Sequence, residues 1–141
     1  TPDLELALDY QFTNWRSVSF FREPPPHGGM GWEDEHIVKL GVEWRVDDHW
    51  TLHGGLSHGN SPVQPEHAST NGLTPIVTED VMALGASYAL SERSIVHATY
   101  THAFYNEVAS VWYGDIFSFL STGMEAGLSY DALTVDYTYK F

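Results

Sequence analysis

Apolar and polar side chains alternate one for one over most of this chain. Residues 133–141 read LTVDYTYKF: Leu133, Val135, Tyr137, Tyr139 and Phe141 make one apolar row, and Thr134, Asp136, Thr138 and Lys140 make a polar one. Successive side chains of a strand point to opposite faces, so this strand has one face for oil and one for water. Residues 4–12 repeat the pattern, with Leu4, Leu6, Leu8, Tyr10 and Phe12 on one side and Glu5, Ala7, Asp9 and Gln11 on the other. The same period of two predicts strands over 36–46, 50–58, 80–90 and 94–104, and a last strand from near Met124 to Phe141.

Breaks in the alternation are of two kinds. Asp47-Asp48-His49 and Ser91-Glu92-Arg93 are short turns after the second and fourth strands. Long connections follow the first, third and fifth strands. Thr13-Asn14 breaks the phase, and residues 15–21 read as a bulge and continued β-structure, or alternatively as a tight turn and another strand. Residues 22–34 carry Pro24-Pro25-Pro26 and Gly28-Gly29 and must be loop, as must 59–79 with Pro62, Pro65 and Pro75. The third connection, 105–122, is unusually apolar.

Strict segregation of long and short connections is what a membrane barrel does, with long external loops and short periplasmic turns. A soluble β-sandwich has no reason to sort them. The expected fold is therefore all-β, an antiparallel transmembrane β-barrel with about six strands in this chain. Trp44, Trp50 and Tyr88 beside the short turns, and Tyr100 and Phe104 towards the other rim, would be its aromatic girdles.

Composition narrows the alternatives. Mean hydropathy is −0.24, and no stretch approaches the roughly 20 apolar residues of a membrane helix. Barrel strands evade that criterion because polar inward residues dilute the lipid-facing ones. A net charge of −13 with only 6 Lys and Arg argues against nucleic acid as a partner. There is no cysteine, hence no disulfide framework or thiolate metal site.

Two resemblances follow from these residues. The last strand, with Val135, Tyr137, Tyr139 and a terminal Phe141, resembles the C-terminal signal that the barrel-assembly machinery reads. The segment Trp32-Glu33-Asp34, Gly41-Val42-Glu43-Trp44-Arg45, Trp50-Thr51-Leu52-His53-Gly54-Gly55 and Ser61-Pro62-Val63 resembles the C-terminal half of the FadL/TodX family. Trp44 and His53 depart from the Tyr and Arg usual there. The hairpin around Leu84-Gly85-Ala86-Ser87-Tyr88 and Val96-His97-Ala98-Thr99-Tyr100 is similar too, as is Asn14-Trp15-Arg16-Ser17-Val18.

The resemblance implies a bacterial outer-membrane channel for passive uptake of long-chain fatty acids or hydrocarbons. It also implies that residues 1–141 are the C-terminal portion of a fourteen-stranded barrel. About six strands cannot close a barrel, so missing N-terminal strands or another chain should complete it; an eight-strand count arises if Thr13-Asn14 and Asp131-Ala132 are turns. Implied partners are a hydrophobic small molecule, outer-membrane lipid and lipopolysaccharide. The alternative is a small non-transport barrel, structural, adhesive or lipid-modifying.

Candidate chemistry is sparse. Lys39, Glu43, Arg45, His53 and His97 should line the lumen, where mixed charges read more simply as a salt-bridged wall than as a substrate path. His53 and His97 are a strand apart and lack metal-ligand spacing, so neither a metal nor another cofactor is assigned. His58 and Ser61 lack a clear orienting carboxylate, and Ser61 belongs to a Ser-Pro turn, so no catalytic residue is assigned and no enzyme is expected. The oily connection with Trp112, Tyr113, Phe117 and Phe119 is the better candidate for touching a greasy ligand.

Overall fold

The structure, a computed structural model, describes residues 3–72, 76–110 and 124–141. Six strands follow in order: β1 (Leu4–Thr13), β2 (Glu35–Arg45), β3 (Trp50–Gly59), β4 (Asp80–Ser91), β5 (Ser94–Ala109) and β6 (Glu125–Tyr139). They form one sheet in sequence order, and every neighbouring pair is antiparallel. Among the described residues β1 and β6 are edges and do not pair with each other.

Register carries each row across the sheet. Leu8 pairs with Leu40, Leu40 with Leu56 and Leu56 with Met82, while Leu84 pairs with Tyr100 and Tyr100 with Leu133. One face is therefore continuously apolar, and a slip of one residue anywhere would turn it inside out. Leu6, Leu8 and Leu133 are about three-quarters exposed. A large apolar side chain left in water forgoes about 1.5–3 kcal/mol, so this face is built for a non-aqueous neighbour.

The protein's own core lies elsewhere, at the end of the sheet where the long connections gather. Trp32, Val63 and Val77 are buried there, with Trp15, Phe21, Met30, Val108 and Leu128 packed around them. The rings of Trp15 and Phe21 lie 5.2 and 4.8 Å from that of Trp32. Fully buried Asn71 knits this cluster: its Oδ1 accepts from Trp32 Nε1 at 2.7 Å, and its Nδ2 donates to the Met30 and His67 carbonyls. Gly31 has a φ of +66°, and a Cβ there would strike the His67 ring, so only glycine fits.

That core explains one departure from the alternation. Residues 15–21 are not β-structure: Trp15–Ser17 is a 3₁₀ turn and α1 (Ser19–Arg22) a single helical turn. Continuing the strand would carry Trp15 and Phe21 away from Trp32. A second departure is at β5, which runs five residues past the expected 104. A bulge sets Phe104 and Tyr105 against Ser129, between the pairs Ala103–Tyr130 and Asn106–Leu128. The bulge resets the phase, so Val108 and Leu128 join the loop core. The third long connection accordingly begins near Ser110. β6 runs unbroken through Asp131 and Ala132, and β1 ends at Thr13 in the 3₁₀ turn, which removes the eight-strand count.

The short turns are locally specified. Asp47 Oδ1 accepts the backbone N–H groups of His49 and Trp50, each at 2.7 Å. These two bonds, Trp50's first, hold the Asp47 carboxyl below its usual value.

Candidate functional site

On the polar face, register places Glu5 beside Glu43, Glu43 beside His53, Ser87 beside His97 and His97 beside Asp136. His53 lies directly opposite Gly85, where a Cβ would come within 2.9 Å of Thr99 Oγ1. With no side chain opposite, the His53 ring reaches diagonally to Ser87. Its Nε2 is 2.7 Å from Ser87 Oγ, which is also 2.7 Å from His97 Nδ1. At one end Glu43 Oε2 is 3.3 Å from His53 Nδ1, and at the other Thr138 Oγ1 is 3.4 Å from His97 Nε2. A polar chain thus crosses the sheet from β2 to β6.

The chain has a direction. Ser87 has one proton, so it can donate to one imidazole and must accept from the other. With Glu43 accepting from His53 Nδ1–H, the Ser87 hydroxyl donates to His53 Nε2 and accepts from His97 Nδ1–H. His97 Nε2 then accepts from Thr138. Two neutral rings satisfy every link. Protonating His53 reverses the links beyond it, and protonating both rings leaves Ser87 facing two donors. The wall in this arrangement accommodates one proton on the pair.

The other expected lining residues fall on the same face but not in this chain. Lys39 Nζ donates to Gln11 Oε1 at 2.7 Å and lies 3.9 Å from Asp9 Oδ2. Arg45 pairs with Thr51 and, with Glu43, His53, Ser87 and His97, lines a hollow of about 220 Å³ near the short turns. Among the described residues no cluster of three or more potential metal ligands forms. Ser87 was not singled out from the sequence, where it reads as one small inward residue among several. Only the register reveals it as the bridge.

His58 and Ser61 are not brought together. Ser61 Oγ donates to the Ile76 carbonyl and accepts from Val63 N–H, while His58 pairs with Asp80 on the opposite face. Val135, Tyr137 and Tyr139 stand on the apolar face of β6, opposite Ala98, Val96 and Ser94, and the Phe141 ring packs edge-on against Tyr139. Trp112, Tyr113, Phe117 and Phe119 lie outside the described residues.

An antiparallel meander with one lipid-compatible face, one hydrated face and long connections at one end is the wall of a transmembrane β-barrel. The family model described as outer membrane protein transport protein (OMPP1/FadL/TodX) matches residues 4–141. The chain belongs to that family, and the protein is an outer-membrane protein. Its fold matches the crystal structure of a Pseudomonas aeruginosa FadL homologue with a TM-score of 0.64 at 19% identity. The match covers 99% of this chain and 33% of that one, so the chain spans about a third of the homologue's length. No curated protein matches the sequence. The apolar face is thus the outer, lipid-facing wall, and the polar face lines the barrel interior.

Proposed function

We propose that the protein is a passive channel for hydrophobic small molecules, long-chain fatty acids or hydrocarbons, and that residues 1–141 form the C-terminal portion of its barrel. The observation that carries this reading is the family match over residues 4–141. Two physical features support it. A buried loop core at the long-connection end gives a rigid external mouth, and the hydrogen-bonded inner wall lets cargo pass without a binding step that would trap it. Unpaired backbone at the edges of β1 and β6 would cost several kcal/mol per group in lipid, so these edges pair with further strands of the same barrel. In this reading Val135, Tyr137, Tyr139 and Phe141 also serve as the segment that the assembly machinery engages.

The test is uptake of a fluorescent long-chain fatty acid and of a radiolabelled alkane. A deletion strain should accumulate less of one or both than the parent, and the intact gene should restore the difference without an energised inner membrane. Equal uptake by deletion and parent for both probes sinks the transport reading.

A further inference from the structure

The lipid-facing wall carries polar side chains that transport through the interior does not use. Each of three successive strand pairs holds one cross-strand couple near the long-connection end. Tyr10 Oη and His36 Nδ1 are 2.6 Å apart on β1 and β2. His58 Nδ1 and Asp80 Oδ1 are 2.7 Å apart on β3 and β4, and His102 Nδ1 and Asp131 Oδ1 are 2.8 Å apart on β5 and β6. Below these couples the outer row is apolar, with Leu40, Leu56, Met82, Leu84 and Leu133. Beyond the bulge Glu107 forms a hydrogen bond with Tyr105, and both point outward. The three couples therefore trace the outer edge of the hydrocarbon layer. Polar groups at that depth reach headgroups, whereas deeper ones would meet only acyl chains.

Beside the middle couple the wall is hollowed. A groove of about 490 Å³ is walled by Val38, Leu40, Leu56 and Phe104 and headed by His58 and Asp80. Its volume lies within the range of about 300–1,000 Å³ typical of small-molecule sites. An oily trough with a polar head has the shape of an amphiphile, and its position on the outer wall means that membrane lipid covers it.

We propose that this groove binds one membrane lipid bearing a primary-ammonium headgroup. The charge of the head decides the class. When Asp80 accepts from His58 Nδ1–H, the couple offers a carboxylate and the lone pair of His58 Nε2, two acceptors for an ammonium with three donors. Both side chains are more than half exposed, 73% for His58 and 55% for Asp80, so a headgroup can reach them. Asp131 and Glu107 stand outward nearby, and the lysine and arginine residues of the described strands, Lys39 and Arg45, both point inward. A phosphate or other anionic head would meet carboxylate with no cation beside it. One acyl chain lies in the trough against Leu40 and Leu56. The ligand is a resident of the wall, separate from cargo in the interior.

The test uses the whole protein extracted from outer membranes, delipidated in mild detergent and mixed with phosphatidylethanolamine or phosphatidylglycerol of matched chains. Native mass spectrometry then counts retained lipid. We expect one phosphatidylethanolamine per protein, retained at least about threefold over phosphatidylglycerol. Asp80→Asn should erase that preference; loss of one exposed charge contact at about 0.2–1 kcal/mol corresponds to about 1.4- to 5-fold. Leu56→Trp, which fills the trough from a lipid-exposed position, should lower retention of both lipids. Heat-modifiable mobility on gels checks that each variant is folded. Equal retention of the two lipids by the wild type overturns the proposal. So do retention unchanged in folded Leu56→Trp, preferential capture of lipopolysaccharide, and displacement of the bound lipid by a long-chain fatty acid, which would make the groove part of a cargo route.

Discussion

His53 and His97 are joined by the strand that separates them: the Ser87 hydroxyl lies 2.7 Å from a ring nitrogen of each. Two histidines on β3 and β5 are too far apart for direct contact, yet one serine on β4 makes them a single hydrogen-bonded unit. The inner wall is thereby tied across four strands without a net charge on the pair.

Ser87→Ala should break that unit. The expected loss is about 1 kcal/mol of unfolding free energy, the low end for leaving polar groups without a partner, because the His53 side chain is 38% exposed. The sharper readout is coupling between His53→Ala and His97→Ala. A double-mutant cycle by urea unfolding in vesicles should give a measurable interaction energy with serine at 87 and none after Ser87→Ala. Coupling that survives the loss of the hydroxyl contradicts the bridge.

Asn71 should matter more than its place in a long connection suggests. It is fully buried and makes three hydrogen bonds to Trp32, Met30 and His67. Asn71→Leu keeps the volume but leaves the Trp32 indole N–H and two carbonyls unpaired, at about 1–3 kcal/mol for each group that water cannot reach. Faster proteolysis of the external connections on intact cells, with the barrel still folded, is the expected result. Unchanged proteolysis would show that the loops are held by something other than this core.

The two faces of β6 should answer a charge in opposite ways. Val135 faces lipid and Thr134 faces the interior, one residue apart. Val135→Lys should cost about 2–4 kcal/mol, as lysine does near the bilayer midplane, while Thr134→Lys should be close to neutral. Comparing their urea midpoints after folding into vesicles measures the difference. Similar values for the two variants would place the sheet in the wrong orientation.

The turn between β2 and β3 carries a pH dependence whose sign is fixed. Asp47 is held below its ordinary 3.8 by the N–H groups of Trp50 and His49. Its contribution is therefore present above the unfolded value and disappears as pH falls through the lower folded one. Asp47→Asn should destabilise the hairpin at neutral pH and be indistinguishable from wild type in strong acid. A difference that persists in acid would mean that the carboxylate charge is not the source.

Much of this wall was legible from alternation alone. Leu4 to Phe12 and Val38 to Trp44 declare their faces because a lipid-facing strand tolerates no polar residue in its middle. The same rule gave the direction of Lys39, Glu43, Arg45, His53 and His97. It failed where side chains have a partner outside the sheet. Trp15 and Phe21 look β-like but turn helical to reach Trp32, and Phe104-Tyr105 conceal a bulge that no local periodicity announces. Ser87 was missed because a serine among small inward residues has no signal until the register, and the empty space over Gly85, bring two imidazoles to it.

The absence of cysteine from the chain makes the most direct test of a membrane wall clean. Single cysteines placed from 133 to 138 can be probed in native outer membranes with a small water-soluble thiol reagent. Labelling should alternate, with Thr134, Asp136 and Thr138 positions reactive through the water-filled interior and Leu133, Val135 and Tyr137 positions protected by lipid. Uniform reactivity along the strand, or protection of the even-numbered positions instead, would contradict a β-barrel wall with its apolar face in the bilayer.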